Sequence, residues 1–216
     1  MKKLITSAVL AASTMGPMAA SAEVSSNMAV SNMYLYRGFN LTPNSPAVSG
    51  GVDFEDKSGA YAGTWASSED GGYELDLYVG YKGKAGDVAY DVGYITYNYP
   101  EEGTSLTDGN ATEVKLAAEM GDFSAELYVN TDSANDYSYL SLDYSMGKVG
   151  LHVGLTEDST LDGDTTANDE VTDVNISYEL SSELKATLSI ADGDTLTEAQ
   201  KNPLLALTYE LPISKK

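Results

Sequence analysis

From Glu74 onward the chain alternates. Leu75, Leu77, Val79 and Tyr81 share one face of an extended strand, and Glu74, Asp76, Tyr78 and Lys82 share the other. After Gly83-Lys84-Ala85-Gly86 the arrangement repeats with Val88, Tyr90, Val92 and Tyr94. A two-residue period of this kind is the mark of a β-strand with one apolar face. Further along, Phe123, Ala125, Leu127 and Val129 alternate with Ser124, Glu126, Tyr128 and Asn130, and Val149, Leu151, Val153 and Leu155 with Gly150, His152, Gly154 and Thr156. Val174, Ile176, Tyr178 and Leu180, then Leu184, Ala186, Leu188 and Ile190, do the same. The pattern predicts about twelve strands, at Ser26–Arg37, Pro46–Glu55, Ala60–Ser67, Tyr73–Lys82, Asp87–Asn98, Thr112–Met120, Asp122–Asn130, Tyr137–Met146, Lys148–Thr156, Val171–Leu180, Glu183–Ile190 and Pro203–Ile213.

The connections sort by length. Asp56-Lys57-Ser58-Gly59, Gly83-Lys84-Ala85-Gly86, Gly121-Asp122, Gly147-Lys148 and Ser181-Ser182 are tight reversals. Between them lie longer acidic links at Gly38–Ser45, Ser68–Gly72, Tyr99–Ala111, Thr131–Asp136, Glu157–Glu170 and Ala191–Asn202. Short turns at one rim and long loops at the other describe a transmembrane antiparallel up-and-down β-barrel, all-β, with short periplasmic turns and longer extracellular loops. None of the strands is a continuous apolar run, as strands covered on both faces would be. The apolar face is therefore expected to touch lipid and the polar face to line a narrow, wet interior. Closure removes the strand edges that hydrocarbon does not tolerate.

The chain's start agrees with export. Lys2 and Lys3 precede a short apolar stretch from Leu4 to Met15, and Ala20-Ser21-Ala22 offers a cleavage site. Residues 1–22 are thus expected to be a signal peptide and 23–216 the barrel. No later stretch is long enough for a transmembrane helix, which needs roughly 20 apolar residues, whereas a strand crosses with about ten.

Composition narrows the partners. The formal net charge is −21, and loss of Lys2 and Lys3 takes it to −23, a surface that repels phosphate and excludes nucleic acid as a partner. Cysteine is absent, so cohesion rests on the backbone ladder and packing. Tyrosine dominates the aromatics, with 16 Tyr against 3 Phe and 1 Trp. Trp65, Tyr34, Tyr36, Tyr61, Tyr97, Tyr99 and Tyr137 are expected in aromatic girdles at the membrane interfaces.

The first half carries a more specific signal in Tyr34-Leu35-Tyr36-Arg37-Gly38, then Pro46-Ala47-Val48-Ser49-Gly50-Gly51-Val52-Asp53, then Gly59-Ala60-Tyr61-Ala62-Gly63-Thr64-Trp65-Ala66-Ser67. Glu74-Leu75-Asp76-Leu77-Tyr78-Val79-Gly80-Tyr81, Asp91-Val92-Gly93-Tyr94 and Tyr97-Asn98-Tyr99-Pro100 follow in order. This run, at about residues 28–100, resembles the TorF family of porins. The resemblance implies a proteobacterial outer-membrane barrel assigned as a porin, with its solute undefined; the partners expected of such a barrel are outer-membrane lipid and lipopolysaccharide, small solutes and the outer-membrane insertion machinery. It brings no catalytic residue and no cofactor. Where such barrels usually end on an aromatic residue, this chain ends Leu211-Pro212-Ile213-Ser214-Lys215-Lys216, with Tyr209 the nearest aromatic.

The polar face collects Asp53, Glu74, Asp76, Asp91, Glu113, Glu119, Glu126, Asp143, Asp173, Glu179 and Glu210, against Arg37, Lys82, Lys115 and Lys185. An excess of acid in a low-dielectric tube favours cations. The candidate pore-lining residues are Arg37, Asp53, Glu74, Asp76, Asp91, Glu113, Lys115, Glu126, Asp143, His152, Glu179 and Lys185. The same charges could instead pair across strands and plug a small barrel, leaving adhesion or envelope structure to the acidic loops. Arg37 is expected at the end of the first strand, as a constriction residue or held by Asp53 or Glu74. His152 is the single histidine, without a cysteine or recognisable serine motif to partner it in catalysis. Thr107-Asp108-Gly109-Asn110, the run containing Asp162 and Asp164, and Asp192-Gly193-Asp194 crowd oxygen donors near glycine, the chemistry calcium prefers. None has the EF-hand spacing. A soluble periplasmic calcium-binding β-protein is the remaining alternative.

Overall fold

The computed structural model describes residues 23–70, 72–100, 111–131, 137–158 and 169–213. The expected signal peptide, Thr107 to Asn110, Asp162 and Asp164 lie outside the described residues. The strands are β1 Glu23–Ser31, β2 Leu35–Tyr36, β3 Phe39–Asn40, β4 Ala47–Glu55, β5 Ala60–Glu69, β6 Gly72–Ala85 and β7 Val88–Asn98. They continue with β8 Ala111–Met120, β9 Phe123–Asn130, β10 Tyr137–Met146, β11 Val149–Asp158, β12 Asp169–Glu179, β13 Leu184–Gly193 and β14 Leu204–Glu210. Twelve of these form one closed antiparallel barrel, each paired to its neighbours in sequence, with β14 returning to β1; β2 and β3 form a separate hairpin.

Closure is made by Ala29, Val30 and Ser31 opposite Glu210, Tyr209 and Thr208. Asn32 lengthens this seam. Its side-chain amide donates to the Leu205 carbonyl at 2.9 Å and its side-chain oxygen accepts the Leu207 N–H at 2.6 Å, replacing a ladder rung with a side chain. At the opposite rim the reversals are locally encoded. In the β4–β5 turn the Asp56 carboxylate accepts the Ser58 N–H at 2.9 Å, an Asx turn. Hydrogen bonds from the Ser58 backbone and hydroxyl hold the Asp56 carboxyl below its usual range.

The two faces of the wall differ as the alternation predicts. Val79, Leu142 and Ile176 stand 55%, 58% and 51% exposed with no layer over them among the described residues, part of a band of outward aliphatic and aromatic side chains. That band is the surface hydrocarbon would cover. On the inside, Asp173 and Ser189 are fully buried, as are Tyr97, Tyr128 and Tyr139 to within a few per cent.

Two expectations are corrected here. The first strand ends at Ser31, not Arg37, and the segment that follows folds inward as the β2–β3 hairpin. Its turn residues Arg37 and Gly38 have φ of 46° and 85°, both positive as a two-residue type I′ turn requires. Leu41 N–H reaches the Tyr34 carbonyl at 2.8 Å and Tyr34 N–H reaches the Thr42 hydroxyl at 2.7 Å, closing the hairpin's base. The second correction concerns the aromatics. Trp65, Tyr34 and Tyr97 are buried inside the barrel, Tyr61 donates to Asp91, Tyr36 and Tyr137 surround Arg37, and Tyr99 packs on the interior cluster. Among the described residues, outward-facing rings include Tyr73, Tyr81, Tyr94, Tyr178, Tyr209, Phe54 and Phe123, with Tyr90 stacked on Tyr81 and Tyr144 packed on Phe123. The physical reason is parity: Tyr61 and Trp65 share a face of β5 with Gly63 and Ser67, and a phenol beside carboxylates has a hydrogen-bond acceptor that a membrane interface need not supply.

Candidate functional site

The site is the barrel interior where the hairpin crosses it. At one side, Arg37 Nη1 and Nη2 donate to Glu113 Oε1 and Oε2, each at 2.9 Å, a bidentate pair with both side chains buried. Tyr97 OH adds a 2.7 Å bond to Glu113 Oε2, and Arg37 also bonds the Tyr137 hydroxyl. The guanidinium sits 4.7, 4.8, 5.2 and 4.4 Å from the ring centres of Tyr36, Tyr128, Tyr137 and Tyr139. A cation at such distances is attracted by the ring quadrupoles.

The rest of the hairpin reaches the other walls. Tyr34 packs on Trp65 at 5.6 Å and its hydroxyl donates to Glu74, 3.2 and 3.3 Å from the two carboxylate oxygens. Phe39 packs on Val171, Ala191 and Leu196. At Gly38 an added Cβ would lie 2.7 Å from Asp173 Cβ and 3.0 Å from Ala191 Cβ, so only glycine lets the turn approach β12 and β13 this closely. The hairpin therefore spans the lumen from β5 and β6 to β12 and β13.

Below and around it, several interior charges are matched. Lys115 Nζ lies 3.3 Å from Asp91 and 3.6 Å from Glu126, while Tyr61 OH donates to Asp91 at 2.7 Å and Tyr128 OH to Glu126 at 2.7 Å. His152 lies between two acids, with Nδ1 2.8 Å from Asp143 Oδ1 and Nε2 3.2 Å from Asp173 Oδ1. Tyr139 OH is 2.8 Å from the same Nε2. Asp53 accepts from Tyr78 OH at 2.5 Å, and Lys185 is paired in register with Glu179.

All twelve candidate lining residues fall inside: Asp53, Glu74, Asp76, Asp91, Glu113, Lys115, Glu126, Asp143, His152, Glu179 and Lys185 on inward strand faces, and Arg37 on the hairpin. The expected partner of Arg37 is corrected from Asp53 or Glu74 to Glu113, because the hairpin carries the guanidinium away from β4 toward β8. Asp192, one of the calcium candidates, is 80% exposed and ion-paired to Lys201 at 3.2 Å; Asp194 is exposed. The tyrosines that bind the interior acids were not among the candidates. Their signal was available, since Tyr78 and Tyr128 occupy positions of polar parity.

Residues 15–200 match the model of a family described as bacterial proteins of unknown function, Gcw_chp. The chain belongs to this family. Among solved structures it is similar to the KdgM porin, at 9% identity and a TM-score of 0.53, covering 89% of this chain and 100% of that one. KdgM in complex with disordered oligogalacturonate is similar at 9% identity and 0.52, with the same coverage. A membrane protein from a study of in-meso crystallization is similar at 9% identity and 0.56, covering 88% of this chain and 83% of that one. At such identity the likeness is one of fold, that of outer-membrane barrels. No curated protein matches the chain in sequence.

Proposed function

We propose that this protein is an outer-membrane channel for passive diffusion of small solutes, with a preference for cations and an aperture set by the β2–β3 hairpin. The observation that carries the reading is the closed barrel with an apolar band outside and a charged, acid-rich interior. The shared fold with a protein named as a porin supports it, as does the likeness of residues 28–100 to the TorF family. In this reading residues 1–22 direct export from the cytoplasm of a Gram-negative cell, the insertion machinery folds the barrel into the outer membrane, and lipopolysaccharide surrounds its long-loop rim. Selectivity comes from interior charge and bore. No catalytic group and no cofactor is needed.

The hairpin also favours a second reading, a barrel closed by its own first loop that works through its outer surface. Planar-bilayer recording of the refolded mature chain under a potassium chloride gradient separates the two. Discrete steps with a cation-selective reversal potential are expected; demonstrated insertion without steps would replace the channel with the closed barrel.

A further inference from the structure

Among the described residues, many interior acids of this barrel come with partners, and Glu74 with Asp76 departs from that pattern. Glu113 has Arg37, Asp91 and Glu126 share Lys115, Asp143 and Asp173 flank His152, and Glu179 faces Lys185. Glu74 and Asp76 sit side by side on the inward face of β6, each 1% exposed. Among the described residues neither has an ion-pair partner, and Glu74 receives hydroxyls but no cation: that of Tyr34 and that of Tyr99. Both carboxylate oxygens of Asp76 are buried with no hydrogen-bond partner. Their cross-strand neighbours, Ser67 and Trp65 on β5 and Tyr97 opposite Asp76 on β7, bring no positive charge.

Residues two apart on a strand are separated by roughly 7 Å. Projecting from the same face, the two carboxyl groups of Glu74 and Asp76 lie side by side, and when both are ionised in a low-dielectric interior they repel each other and each loses its hydration. Two adjacent buried carboxyl groups with phenol oxygens beside them offer hard oxygen donors without a cation, the donor type matched by a divalent cation of the calcium class, which takes carboxylate, hydroxyl and water oxygens in flexible geometry.

We propose that Glu74 and Asp76, with the Tyr34 hydroxyl beside them, form an internal calcium-class site just inside the long-loop rim. The bound ion neutralises the pair and ties the base of the hairpin to β6. The site stands apart from the loop clusters at Asp192 and Asp194, and it does not rest on the barrel conducting.

The test uses the refolded mature chain in detergent, with terbium(III) as probe and calcium chloride as competitor. Trp65 packs on Tyr34, which bonds Glu74, so aromatic excitation should sensitise terbium luminescence. Saturable, calcium-competed emission is expected, with affinity reduced at least about tenfold in Glu74→Gln/Asp76→Asn and unchanged in Asp192→Asn/Asp194→Asn. Heat-modifiable gel mobility reports folding of each variant; should the double variant not refold, Asp76→Asn alone is required to show the loss. Absence of a saturable signal, or wild-type affinity in the folded Glu74 and Asp76 variants, as a pair sharing a proton would give, overturns the site.

Discussion

The inserted hairpin segment meets the wall at two charged places that contrast sharply. At Arg37 a buried cation is matched by a bidentate carboxylate and enclosed by four tyrosine rings. At Tyr34 the same segment meets two buried carboxylates and supplies one phenol. The first place is complete and can only hold. A matched buried pair adds little net stability over an apolar pair of the same shape, but it makes every misplacement of the hairpin costly, because either charge left alone is buried without a partner. The second place is incomplete and can bind. Charge balance thus separates a lock from a ligand site within a few residues of chain.

The largest way to break this contrast is Arg37→Met. It leaves Glu113 buried without its cation, and the expected cost is about 3–5 kcal/mol. The thermal midpoint, followed by heat-modifiable mobility, should fall, and single-channel steps should grow as the hairpin leaves the lumen. Arg37→Met combined with Glu113→Leu should recover most of the stability while keeping the larger conductance, since an apolar pair needs no compensation. A wild-type midpoint and conductance in the single variant would show that the pair does not hold the hairpin. Glu74→Gln/Asp76→Asn should act with opposite sign: in calcium-free buffer it removes an unmatched repulsion and raises the midpoint by about 1–2 kcal/mol equivalent. The same variant should reduce cation preference, read as a shift of the reversal potential toward zero. A lower midpoint without calcium would remove the contrast between the two places.

Much of the wall was legible because a strand's period of two admits few alternatives, and residues such as Leu77, Val79, Val92 and Tyr94 had to share a face. Turn chemistry was equally local: Asp56-Lys57-Ser58-Gly59 reverses because of what those four residues can do alone. The hairpin was not legible in the same way. Tyr34 and Tyr36 continue the alternation of β1, so the pattern runs past Ser31 into a segment that leaves the wall. Only the Arg37-Gly38 pair marked the reversal, and arginine is an uncommon residue at positive φ, held there by contacts distant in sequence. The interior aromatics were misplaced because tyrosine suits both a membrane interface and a carboxylate partner. The choice for Tyr61 depended on Asp91, thirty residues on.

A smaller change sharpens the contrast from outside the barrel. Asp192 and Lys201 form an ion pair of 3.2 Å, close to the distances found inside, yet their side chains are 80% and 29% exposed. Water and salt already solvate both partners, so the pair neither fixes a geometry nor leaves a charge stranded when broken. Asp192→Asn is therefore expected to move stability by less than about 0.5 kcal/mol, with the difference vanishing at high salt. Thermal midpoints of the two proteins at low and high ionic strength measure it. A loss as large as that of Arg37→Met would mean that this rim is as closed to solvent as the lumen, and that distance, not burial, governs the interior pairs.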